Sequence, residues 1–183
     1  MKNQEFIEKQ IEKTGITKWA PVAQSGIVYD AVFRDICAKN TCGRYGTCYM
    51  CPPDVGPIDQ LIERAKQYPM AVMYQTIHSI EDSFDFEGMM EARRAHSRCS
   101  IRLHELLPPG KFLHLGAGGC GVCARCAKVD GEPCRFPEKA IASLEAYGMD
   151  VYKTACSAGL KYVNGPNTIT YFGMVLFAED EDA

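Results

Sequence analysis

Apolar residues recur at helical spacing in several stretches of the chain. Phe6, Ile7, Gln10 and Ile11 line one side of residues 3–14, and Gly15 is placed to stop that helix. Phe86, Met89, Ala92, Ala95, Cys99, Leu103 and Leu106 follow at spacings of three and four. They predict the longest helix, residues 86–107, broken by Pro108, Pro109 and Gly110. A shorter stripe of Ile58, Leu61, Ile62 and Ala65 predicts a helix that opens at Pro57 and runs to Tyr68 before Pro69. Two more helices are expected, one over residues 137–148 and one from a cap at Asp150 to Gly159. Unbroken apolar runs bounded by turn residues predict strands over residues 26–33, 70–77, 111–115 and 168–177. The acidic tail, residues 178–183, is expected to fray. Strands and helices alternate, and no repeat or linker interrupts them. The pattern therefore predicts an α/β or α+β fold: a single mixed β-sheet flanked by helices, in one domain over residues 1–183.

Composition narrows the function classes. With 46% hydrophobic and 23% charged residues among 183, the chain has the makeup of an ordinary globular domain and enough length for a real core. Its net charge of −3 argues against nucleic acid as a partner. No apolar run reaches the roughly 20 residues needed to span a bilayer, and the opening MKNQEFIEKQ lacks the apolar core of a secretory signal. A cytoplasmic location is the expectation. In a reducing compartment, dense cysteine points to metal or redox chemistry rather than disulfides.

Eight of the ten cysteines fall into two quartets. Cys120, Cys123 and Cys126 follow one another at x2 spacing, and Cys134 lies shortly downstream. Three thiolates so spaced form the tripod of a cubane iron–sulfur cluster, with a fourth arriving from elsewhere. Glycines 116, 118, 119 and 121 let the backbone follow a tight path around it. Zinc is the competitor, but zinc loops use two separated Cys-x2-Cys knuckles. The other quartet, Cys37, Cys42, Cys48 and Cys51, is less regular and ends in Pro52-Pro53. Two [4Fe–4S] clusters are therefore expected, zinc being the less favoured cofactor. Gly116, Gly118 and Gly121 also match the dinucleotide fingerprint, yet the match runs into cysteines instead of a helix. Cys99 and Cys156 read as core filler, and His78, His96, His104 and His114 as scattered surface or core residues. Arg94, Arg98 and Arg102 form a row on one helix face: a solvated face, or a docking surface for an acidic redox partner.

The segments CGRYGTCYMCPP, GCGVCARC, CRFPEKAIASLEAYGMDV and ITYFGMVLF, in that order, resemble the cysteine-rich metal-binding family known as domain of unknown function two-two-eight-four, found in anaerobes. The resemblance places family cysteines on Cys37, Cys42, Cys51, Cys120, Cys123, Cys126 and Cys134 and leaves Cys48 outside that set. It implies metal and names no reaction. Three functional expectations stand: an electron carrier, an enzyme with an iron left open for sulfur transfer or dehydration, or a zinc-braced interaction module. A redox protein or a small-molecule substrate is the expected partner, and a homo-oligomer is compatible with the sequence.

Overall fold

The computed structural model describes residues 2–179. Five strands form one sheet in the order β1-β2-β5-β3-β4: β1 Lys18–Ala23, β2 Met70–Ser79, β3 Leu113–Gly116, β4 Ala142–Ser143 and β5 Thr168–Phe177. Every neighbouring pair is antiparallel except β3 and β4. The α-helices among the described residues are α1 Lys2–Ile11, α2 Val32–Ala38, α3 Ile58–Lys66, α4 Phe86–Leu106 and α5 Val151–Ser157. The fold is α+β, with the single mixed sheet that the hydrophobic pattern predicts. No helix among the described residues is long and apolar enough to cross a membrane.

The centre of the sheet explains why its strands were legible. β2 and β5 pair along their full length, from Met70↔Phe177 to Ser79↔Thr168. Ala71, Met73, Met174 and Leu176 point into a core shared with Leu61 and Ala65 of α3 and Ala155 of α5. Val72, Tyr74, Val175 and Phe177 point into the opposite core, with Ile7 and Ile11 of α1 and Leu103 of α4. Both faces are buried, so these antiparallel strands read as continuous apolar runs instead of alternating ones. The cap at Asp150 follows the sequence, and the structure adds one at Asp85. Asp85 accepts from the Gly88 N–H at 2.8 Å at the start of α4, and Asp150 accepts from the Lys153 N–H at 2.9 Å at the start of α5.

Two expectations are corrected. Residues 26–33 form no strand: Tyr29 makes an isolated bridge with Met149, and α2 begins at Val32. The strand lies earlier, at Lys18–Ala23, where Pro21 disguised it. β1 is an edge strand, so a proline without an N–H is tolerated there. Residues 137–148 form no α-helix. They fold into two short 3-10 turns, Pro137–Lys139 and Glu145–Tyr147, with β4 between them. Pairing of Ala142 and Ser143 with Leu115 and Gly116 overrides the local helical pattern. Of the tail expected to fray, residues 180–183 lie outside the described residues, while Glu179 accepts from the Asn3 N–H at 2.9 Å.

The histidines that look scattered in sequence meet in space. Tyr74 Oη lies 2.8 Å from Ser100 Oγ and 2.7 Å from His114 Nε2. His96 Nδ1 lies 2.9 Å from Thr76 Oγ1, and His114 Nδ1 lies 3.3 Å from His104 Nδ1. Burial, aided by His78 nearby, lowers the His96 pKa from 6.5 to about 3. Burial beside His104 and His96 holds His114 well below 6.5. Both rings therefore stay neutral in the fold, while the unfolded chain takes up protons below its ordinary value. The associated stability is complete above about pH 6.5 and is lost as pH falls toward the folded values, by at most about 1.4 kcal/mol per pH unit for each ring. Urea unfolding midpoints should fall between pH 7 and pH 4.5, and His96→Gln should flatten that dependence.

Candidate metal centres

Both cysteine segments are irregular chain held between regular elements. α2 carries Cys37 in its last turn. Beyond it, Asn40 and Gly43 take positive φ of 53° and 69°, and the Asn40 side chain accepts from the Tyr45 N–H at 3.0 Å. The turn that follows is closed by the Cys51 N–H donating to the Cys48 carbonyl at 3.0 Å. The second segment leaves the end of β3 at Gly116, bends at Gly118 with φ of 68°, and returns as β4. No helix opens at Gly116, Gly118 and Gly121, so the glycines serve the cysteine loop and make no nucleotide turn. Gly121 packs closely on α4, where a Cβ would lie 2.1 Å from Ser97 Oγ and force that hydroxyl to turn away.

The two segments touch. Tyr49 Oη donates to the Glu132 carbonyl at 2.8 Å. Lys128 pairs with Asp54 and lies 5.4 Å from the centre of the Tyr49 ring.

Two cavities divide the eight cysteines, and the division differs from the order in sequence. Cys37, Cys42 and Cys51 line a cavity of about 250 Å³ together with Arg44, Tyr45 and Glu145. Cys48 joins Cys120, Cys123, Cys126 and Cys134 around a second, tighter space of about 20 Å³. Met50, Val122, Ala127, Phe136 and Ala140 give that space an apolar lining. The boundary between the two sets runs through the Cys48-to-Cys51 turn, where the two thiols are close enough for each to shift the other's acidity.

The electrostatics follow from that contact. Cys48 is lowered to about 5, first by the hydrogen bond from Cys51 and then by the N–H groups of Met50 and Cys120 and the thiol of Cys126, against the cost of burial. Cys51 moves the other way, because it gives its proton to that bond and is buried near Cys48, Cys42 and Cys37. Cys37 is raised by burial and by the Glu145 and Cys42 charges, with Arg34 opposing. Arg34 anchors α2 by donating to the Gly56 carbonyl at 3.0 Å and the Ala146 carbonyl at 3.3 Å. Its Nε is buried with no acceptor among the described residues.

The donor chemistry suits a thiolate-held metal centre. Soft thiols are grouped in threes and more, with an apolar surround at the second set. The second space is about the size of a single water, smaller than an iron–sulfide core. Among the described residues, no three His, Cys, Asp or Glu side chains converge on one point as the ligands of a single ion do. Cys99 is half-buried against the α1–α4 core, as expected of filler, whereas Cys156 is exposed and fills nothing. Sequence reasoning gave no site role to Arg34, which acts on Cys37 only through folding, nor to Arg44 and Glu145, which line the first cavity although both lie in segments that carry the family resemblance.

The Tyr49–Glu132 bond predicts a local effect. Tyr49→Phe removes a contact worth roughly 1 kcal/mol and should speed tryptic cleavage after Arg125 and Arg135 by about fivefold under native conditions. An unchanged cleavage rate would show that this bond does not hold the loops together.

No curated protein and no solved structure matches the chain. A family model does, over residues 20–177, which include all eight cysteines and every strand except the first two residues of β1. The chain belongs to the DUF2284 family, described as predicted metal-binding proteins.

Proposed function

We propose that the chain is an iron–sulfur protein that holds two [4Fe–4S] clusters and passes electrons in anaerobic metabolism. The observation that carries this reading is the adjacency of the two thiol sets, which meet at the turn from Cys48 to Cys51. Cys37, Cys42 and Cys51 would hold one cluster, and Cys120, Cys123, Cys126 and Cys134 the other. When bound, such clusters supply one-electron chemistry at potentials set by hydrogen bonding to sulfur and by burial. The chain supplies that setting. Cys48 is lowered by its neighbouring thiols and the Met50 and Cys120 N–H groups, while burial raises Cys120 against the Val122 and Ile141 N–H groups, so the two sulfurs would hold charge to different extents.

One observation favours a second reading. Cys48 lies with the second loop, which leaves three thiols at the larger cavity, where Arg44 and Tyr45 can orient a substrate. An iron with an unfilled position there would be a Lewis acid, and the chain an enzyme of the dehydration or sulfur-transfer type.

Anaerobic reconstitution should give about eight irons per chain and a broad absorption near roughly 400 nm that dithionite bleaches. Cys126→Ser should remove about half of that iron, and Cys48→Ser should leave the total unchanged. Colourless protein carrying zinc overturns the iron reading in favour of a zinc-braced module. Loss of the first cluster in Cys48→Ser overturns the three-thiol reading.

A further inference from the structure

A groove of about 520 Å³ runs between α4 and the glycine-rich start of the second cysteine segment. Four arginines line it, Arg44 from the first cysteine segment and Arg93, Arg94 and Arg98 from α4, and no acidic residue does. We infer that this groove is a binding site for a small oxyanion of two or more negative charges, a phosphate or carboxylate compound. The groove borders the second thiol set, whose Cys120 and Cys123 form part of its wall.

The four arginines are not equivalent. Arg94 and Arg98 reach out of the groove to Glu91, at 3.5 Å and 2.8 Å, and their side chains are about two-thirds exposed. They belong to the solvated row expected of this helix face. Arg93 and Arg44 are half-buried and take part in no salt bridge among the described residues. They come from different segments and converge on two consecutive glycines. A Cβ on Gly118 would lie 3.5 Å from Arg93 Nη2, and one on Gly119 would lie 3.1 Å from Arg44 Cγ. Neither guanidinium is neutralised by a carboxylate among the described residues, so an anion seated in the groove gains from both charges. The planar fork of a guanidinium suits an oxyanion, which it can grip with two parallel hydrogen bonds.

The shape favours a small molecule over an acidic protein surface. The space lies within the roughly 300–1,000 Å³ of small-ligand sites. It also has an apolar floor of Met90, Ile101 and Ala117 on which the carbon skeleton of a metabolite can rest. An oxyanion seated there borders the turn that carries Cys120 and Cys123, while Arg44 also lines the cavity of Cys37, Cys42 and Cys51. The groove is thus placed for a substrate or effector of the metal centres, yet its lining does not depend on which metal they hold.

The test is calorimetric titration of the metal-loaded protein with pyrophosphate, succinate and poly-glutamate at low ionic strength. Pyrophosphate or succinate should bind at one site, and which of them binds identifies the class. Arg93→Ala should weaken binding by about tenfold or more, and Arg93→Lys, which keeps the charge and loses the fork, by several-fold. Arg102→Ala, on the same helix but outside the groove, should leave affinity unchanged. Iron content is measured on each variant, so failure of the cluster reading is seen apart from failure of anion binding. The inference is overturned if neither small anion binds or if only poly-glutamate binds. It is equally overturned if Arg93→Lys matches wild type, or if Arg102→Ala weakens binding as much as the Arg93 variants.

Discussion

The pairing of β3 with β4 is the constraint on which the functional region rests. Two residues of parallel ladder, Leu115↔Ala142 and Gly116↔Ser143, tie together the start and end of the second cysteine segment. The Leu144 N–H extends the tie by donating to the Gly116 carbonyl at 3.0 Å. Without this closure Cys120, Cys123, Cys126 and Cys134 would sit on an open loop, whose ordering costs roughly 1–2 kcal/mol per residue. The same return strand leads into the Glu145–Tyr147 turn, whose Ala146 carbonyl receives Arg34 from α2. One short ladder therefore positions the second loop directly and the first through α2.

The region next to this ladder concentrates opposite charge tendencies. Thiols gather in two sets, and the donors around Cys48 stabilise negative charge on its sulfur even in a metal-free protein. Arg34, Arg44 and Arg93 stand in a partial ring outside them, each from a different part of the chain or a different helix turn. Positive charge close to sulfur opposes the repulsion expected when thiolates are assembled in a half-buried place. The buried network of Tyr74, His96, Ser100 and His114 is of another kind. Its rings are neutral, it joins α4 to the centre of the sheet, and it helps fix the helix from which Arg93 and Ser97 face the second loop.

Much of the scaffold was legible in the chain. The range of β5 agrees with the expected residues 168–177, because an apolar run buried on both faces leaves no ambiguity of period. α4 and the cap at Asp150 follow from spacing and from a short side chain that accepts a backbone N–H bond. β1 was missed because a single proline outweighs five strand-compatible neighbours when its edge position is unknown. Residues 137–148 were misread because two ladder residues in a helical pattern carry almost no local signal.

For the site, the sequence by itself determined which atoms are available: eight thiols in two crowded segments, with glycines and prolines to turn them. Their partition was decided by tertiary structure. Cys48 and Cys51 are three residues apart, yet the turn between them points one thiol toward each cavity. The convergence of Arg44 and Arg93 on Gly118 and Gly119 was likewise decided by folding, since charge spaced along a chain does not say which guanidinium will lose its carboxylate and which will keep it. Spacing fixes the reach of a side chain, whereas direction depends on what packs behind the backbone, and here that is a sheet assembled from strands far apart in the chain.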